Sequence, residues 1–121
     1  MFKKIDVNTL KELPTPFYYY DLDLLQTTIN SLKEEAQKFD YNIHYALKAN
    51  TDERVLQIIS EAGFGADCVS GNEVKKALEL NFAPQDVFYA GVGKTDEEIR
   101  AGLKGNIGCF VEMVKHVQIC L

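Results

Sequence analysis

The sequence predicts an α/β fold built on a parallel sheet. Short runs of strand-forming residues alternate with longer runs of helical period, the order that parallel pairing through right-handed crossovers requires. The strand starts, near residues 42, 65, 87 and 107, recur at intervals of 20–23 residues. Two helix starts carry a Ser or Thr followed three residues later by Glu, the spacing at which each side chain satisfies a free N–H at a helix end. A length of 121 residues leaves room for one domain of about 100–150 residues and no second.

Each element has its own local reason. A polar lead-in ends at Thr15-Pro16, and Phe17-Tyr18-Tyr19-Tyr20 follows as an extended run of strand-favouring aromatics. Asp21 is placed to cap a helix over about Leu22 to Lys38, whose Leu25, Ile29, Leu32 and Ala36 share one helical face. Asn42 to Leu47 reads as a strand, and Thr51 to Glu61 as a helix with Val55, Leu56 and Ile59 on its apolar side. Gly63 suits a helix C-cap and a tight turn into the next strand, Gly65 to Val69. Ser70 to Leu80 is the third long helix, with Ser70 and Glu73 at capping-box spacing. Val87 to Ala90 is a strand, Thr95 to Leu103 a helix with the same spacing at Thr95 and Glu98, and Ile107 to Val111 a fourth strand. An eight-unit barrel at this spacing takes roughly 200–250 residues. Four units make either a small open sheet or about half a barrel, and periodicity alone leaves both open.

Composition removes several function classes. Apolar residues are 46% and charged residues 26% of the chain, which is ordinary for a globular domain and unlike a disordered or fibrous one. The longest unbroken apolar runs are Phe17 to Tyr20 and Val87 to Ala90, against about 20 residues for a membrane-spanning helix. The opening MFKKIDVNTL has no apolar stretch of the kind a secretory signal needs. A net charge of −5 without a basic cluster argues against nucleic-acid binding, which needs a positive stripe to neutralise phosphates. Cys68, Cys109 and Cys120 form no C-x-x-C pair, so reduced thiols and a cytoplasmic setting are expected and a zinc site is not.

The glycine motifs yield little. Gly93-Lys94-Thr95 would need a glycine at Phe88 to form a nucleotide P-loop, and Gly63-Phe64-Gly65 would need one at Cys68 to form a dinucleotide fingerprint. Lys48 is the informative residue. Strand alternation puts His44, Ala46 and Lys48 on one face and Ile43, Tyr45 and Leu47 on the other. A lysine at the carboxyl end of a parallel strand stands where α/β active sites gather, and a partly desolvated amine there is suited to a Schiff base with a carbonyl compound. Geometry alone favours the plainer reading, a lysine that merely reaches from a strand end into solvent.

Tyr45-Ala46-Leu47-Lys48-Ala49-Asn50, followed at fixed spacing by Val55-Leu56, Ile59 and Gly63, meets the pyridoxal-phosphate attachment pattern at every specified position. On these residues the chain resembles the ornithine/diaminopimelate/arginine decarboxylase family, pyridoxal-phosphate enzymes of fold type III. Thr15 to Asp21 is similar to that family's lead-in strand, and the run from Gly63 to Glu73 resembles its GxGAD-xxS-xxE stretch. Lys48-Ala49-Asn50, Gly65 to Gly71 and the run from Gly91 to Ile99 are nearest to the diaminopimelate branch. Lys48-Ala49-Asn50-Thr51-Asp52 departs from the alanine racemases that share the barrel. The likeness runs from about residue 12 to 110, and the tail from Val111 to Leu121 fits poorly.

The resemblance implies the N-terminal part, about four βα units, of an alanine-racemase-like TIM barrel. Residues 1–121 would then be a partial pyridoxal-phosphate-binding (β/α)8 barrel without the family's C-terminal β domain. It implies pyridoxal 5'-phosphate as cofactor, Lys48 as its attachment and catalytic residue, and Asp67 as a carboxylate near the lysine and cofactor. Glu73 matches another position beside the site, which capping explains equally well. The implied activity is that of a lyase of lysine biosynthesis, decarboxylating meso-diaminopimelate to L-lysine as a homodimer. The downstream phosphate loop, ring-stacking histidine and pyridine-nitrogen partner of that family have no counterpart in these residues. An inactive truncation that self-associates through open sheet edges is therefore expected, the alternatives being a small pyridoxal-phosphate-binding or interaction protein of the same fold and another basic amino-acid decarboxylase. For Lys94 and His44 the plain expectations are a solvated helix start and a histidine inside the barrel wall.

Overall fold

The computed structural model describes residues 6–91, 93–110 and 119–120. Among these residues five α-helices and five strands follow in order: α1 Val7–Lys11, α2 Leu22–Gln37, β1 His44–Ala46, α3 Glu53–Glu61, β2 Gly65–Cys68, α4 Gly71–Glu79, β3 Val87–Tyr89, α5 Asp96–Lys104, β4 Cys109–Phe110 and β5 Ile119–Cys120. The sheet runs β1-β2-β3-β4-β5 in chain order. Its first four strands are parallel, and β5 returns antiparallel to β4. The expected alternation is present, with strands shorter than the sequence predicts. Val111, the predicted end of the fourth strand, lies outside the described residues.

Helix ends follow from the capping residues. Asp21 accepts from the Leu24 N–H at 2.9 Å and opens α2 where expected. Thr95 and Glu98 form a complete capping box on α5. At α4 the box is only half formed. Ser70 Oγ accepts from the Glu73 N–H, but the Glu73 carboxylate reaches one residue further back, to the Val69 N–H at 2.7 Å. Four helices finish through a residue of positive φ: α2 at Asp40, before the exposed Tyr41, and three others before a buried apolar residue, at Gly63-Phe64, Asn81-Phe82 and Asn106-Ile107. In each of these three, the apolar residue's N–H bonds back five residues, Phe64 to Ile59 at 3.4 Å, Phe82 to Ala77 at 3.1 Å and Ile107 to Gly102 at 3.3 Å. This closure satisfies orphan helix carbonyls and drives the apolar residue under the sheet. Phe64, Phe82 and Ile107 are all buried.

The core lies between one face of the sheet and the helices. Leu47, Leu56, Ile59, Ala66, Cys68, Ala77, Val87 and Tyr89 form its centre. Alternation along β2 and β3 sends Ala66, Cys68, Val87 and Tyr89 toward the helices and leaves Gly65, Asp67 and Phe88 on the other face. His44 and Ala46 belong to that second face, because β1 pairs His44 with Gly65 and Ala46 with Asp67. Among the described residues, no helix is long and apolar enough to cross a membrane.

Two expectations need correction. Phe17–Tyr20 is not a strand: the sheet begins at β1, and the run makes no ladder with it. Strand propensity expresses fit to a half-buried pleated surface, and Tyr18 is 90% exposed. Tyr20 packs on the core while its ring stacks with that of Tyr18 at 6.5 Å. The first predicted strand also stops early, at Ala46, where Leu47–Ala49 turns into one round of 3-10 helix.

Candidate functional site

The short β1 changes how Lys48 is held. Strand alternation does not extend to it, since it sits in the middle of the 3-10 turn. Leu47 drops fully into the core and anchors the turn, which leaves Lys48 exposed at the carboxyl end of the sheet. Among the described residues its amine has neither a hydrogen-bond nor an ion-pair partner. The turn lies against β2, whose Asp67 is the register partner of Ala46, two residues before Lys48. Asp67 is half-buried on the face away from the helices. The two predicted site residues thus occupy the ends of adjacent strands on one rim.

Below that rim, His44 stacks on Phe88 with ring centroids 4.1 Å apart. Its Nε2 is buried and has no partner among the described residues. The expectation of a histidine on the inner wall matches this placement. Lys94 departs from the solvated role expected of it. Its ammonium donates to the Gly91 carbonyl at 2.6 Å and lies 5.1 Å above the Tyr89 ring, a cation–π arrangement. Glu73 holds the Val69 N–H and so tightens the loop that follows Asp67.

Electrostatics separate the inert groups from the available ones. Burial, with help from Glu73 and Asp67, pushes the Cys68 thiol up to about 12, so it stays protonated and unreactive at neutral pH. Burial and the Glu98 carboxylate push the Tyr89 phenol up to about 12. Hydrogen bonds from Arg54 hold Asp52 at about 2, and the Thr95 and Gly71 N–H groups hold Glu98 below its ordinary value. The N-termini of α3, α4 and α5 are therefore served by the chain's own side chains, Asp52, Ser70, Thr95 and Glu98. Those side chains compete with a phosphate for the three helix ends.

A carboxylate held lower when folded stabilises the fold fully above its unfolded value and loses that contribution as pH falls through the folded one. The urea midpoint should be level between about pH 5 and 8, and on the acid side fall from the ordinary values of 4.5 for Glu and 3.8 for Asp toward about 2. Asp52→Asn should flatten the lower part of that slope in the same titration; an unchanged slope would remove Asp52 from the account.

Sequence reasoning missed the reach of Glu98 to Gly71, 27 residues away. The Thr95–Glu98 spacing marks a cap, and no sequence signal marks the second partner.

Comparison with known proteins follows the same residues. The profile described as "Pyridoxal-dependent decarboxylase, pyridoxal binding domain" matches residues 22–119, so the likeness extends past Phe110 into the tail. A diaminopimelate decarboxylase of Bacteroides thetaiotaomicron is 44% identical over 115 residues, covering 93% of this chain and 30% of that protein. The diaminopimelate decarboxylase of Helicobacter pylori complexed with L-lysine superposes with a TM-score of 0.77 at 34% identity, over 88% of this chain and 27% of that one. A diaminopimelate decarboxylase from M. jannaschii, in co-complex with L-lysine, gives 0.81 at 27% identity, over 86% and 25%. The chain thus spans less than a third of the length of these relatives. Four parallel strands joined by three helices, a lysine at the end of the first strand and a match over most of the chain lead to one conclusion: it belongs to the pyridoxal-dependent decarboxylase family, and its parallel strands are the N-terminal part of that family's TIM-barrel-like fold.

Proposed function

We propose that this chain holds pyridoxal 5'-phosphate through Lys48, and that the whole protein decarboxylates meso-diaminopimelate to L-lysine. One observation carries the reading: the lysine of the attachment pattern stands exposed at a strand end, without a partner among the described residues, and Asp67 is on the next strand. The fit to the cofactor is partial. An unpaired amine suits covalent attachment of an aldehyde, whereas its phosphate would compete with the capping side chains for the N–H groups of α3, α4 and α5. Residues 1–121 are read as a partial (β/α)8 barrel of about four βα units.

When bound, the cofactor supplies a sink for the electron pair left as carbon dioxide departs. Lys48 would hold its aldehyde carbon and, once released, carry a proton on Nζ. Asp67 would stabilise the charged form of that amine and keep it directed along the rim. What supports this choice of substrate is the likeness to diaminopimelate decarboxylases, at 39–44% identity over 85–93% of this chain.

The test is to mix the purified chain with pyridoxal phosphate, reduce with borohydride and map the labelled peptides by mass. Label concentrated at Lys48 supports the reading. Label scattered over surface lysines, or none, defeats it for this chain.

A further inference from the structure

We propose that Glu98 is a positioning residue for the strand-end rim, clamping the loop after β2 to the loop after β3 and so holding Asp67 beside the Lys48 turn. The inference rests on reading that rim as the cofactor site. Glu98 Oε1 accepts from the Gly71 N–H at 3.1 Å. Its Oε2 accepts from the Thr95 N–H at 2.9 Å and from Thr95 Oγ1 at 3.1 Å. The Tyr89 phenol, buried beneath both loops, bonds to the same carboxylate.

Capping α5 would require only the Thr95 bonds. The arm to Gly71 crosses to a second helix, and the chain makes room for it. A Cβ at residue 71 would lie 2.8 Å from Glu98 Cγ and 2.9 Å from Oε1, so only glycine permits this approach. Negative charge is favoured here because the carboxylate faces two helix N-termini at once, and its bonds are charge-assisted. The loops are joined again where the Ala90 N–H donates to the Cys68 carbonyl at 2.8 Å. Asp67 lies four residues before Gly71, and Glu73 ties the intervening Val69. A displacement of Gly71 therefore has a short, taut path to Asp67.

The experiment compares the full chain with Glu98→Ala, Gly71→Ala and the double variant. Amide exchange is read at Gly71 and Thr95, and borohydride-trapped pyridoxal phosphate at Lys48. In Glu98→Ala both amides should exchange about tenfold faster, the scale of one lost charge-assisted bond, with Ala66 and Val87 within about twofold of the parent. Gly71→Ala, which displaces Glu98 without removing it, should also expose Thr95, yet add nothing further once Glu98 is gone. Label at Lys48 should fall several-fold in both single variants, and Glu98→Gln, which keeps one acceptor oxygen, should recover part of it. Unchanged Gly71 exchange, or equal acceleration in the strands, overturns the clamp. Faster amides with undiminished label overturn the positioning role. If the parent chain takes no label at Lys48, the cofactor reading fails on its own account, and the amide pattern still decides the clamp.

Discussion

Replacing Lys48 with alanine should reduce borohydride-trapped pyridoxal phosphate at its peptide to background while leaving the fold intact. The loss should be complete because attachment needs a nucleophilic amine at that place, and no neighbouring side chain stands in for it. Five of the seven other lysines among the described residues are engaged. Lys94, Lys33 and Lys76 donate to the backbone carbonyls of Gly91, Ala62 and Thr51 at 2.6, 2.7 and 3.2 Å, and Lys38 and Lys75 pair with Glu35 and Glu79. Lys48→Arg should fail equally, since a guanidinium stays protonated and does not attack a carbonyl. Stability should move by less than about 0.5 kcal/mol, because the side chain is exposed and Leu47, not Lys48, anchors the turn. Peptide mapping alongside a urea titration measures both halves. Persisting label on a folded Lys48→Ala chain would place the cofactor elsewhere. A collapsed urea midpoint would show that the lysine carries structural weight the geometry does not assign to it.

Local chemistry made much of this fold legible. Helices α2, α4 and α5 could be placed from their caps and α3 from its apolar positions, because both signals are short-range: Asp21, Ser70 and Thr95 act within three residues of themselves. Strand ends were harder. A strand exists only where a neighbour pairs with it, so the aromatic run Phe17–Tyr20 has strand composition without strand structure, and β1 stops two residues short of Lys48. The placement of Lys48 therefore came out right on a partly wrong premise. The lysine is at the strand's carboxyl end, but a 3-10 turn rather than alternation directs it. Contacts across the chain were not legible at all. Glu98 meets Gly71, and His44 lies over Gly65 against Phe88, and neither pairing leaves a trace in spacing or composition. The Thr95–Glu98 pattern was complete as a cap, which gave no reason to look for a second role.

Gly65→Ala should destabilise the chain by about 1–3 kcal/mol, the cost of overpacking a filled site, although it adds a single methyl group. Gly65 opens β2 and is the register partner of His44. A Cβ there would overlap the imidazole Cδ2 of His44, lie 2.6 Å from its Nε2 and approach the Asp86 carbonyl oxygen to 2.5 Å. Neither obstacle yields easily. The imidazole is held by stacking on Phe88. The Asp86 backbone is fixed by its N–H bond to the Ala83 carbonyl at 2.8 Å and by the pairing of β2 with β3. Relief must come from a shift of β2 itself, and Asp67 stands two residues along on the same face. Stability and trapping at Lys48 should therefore fall together in Gly65→Ala, whereas Lys48→Ala separates them. Adding His44→Ala removes the ring but not the carbonyl, so the double variant should regain part of the urea midpoint and not all of it. A parental midpoint in Gly65→Ala would mean that β2 has slack at its first residue, and the alignment of Asp67 with the Lys48 turn would then need another cause.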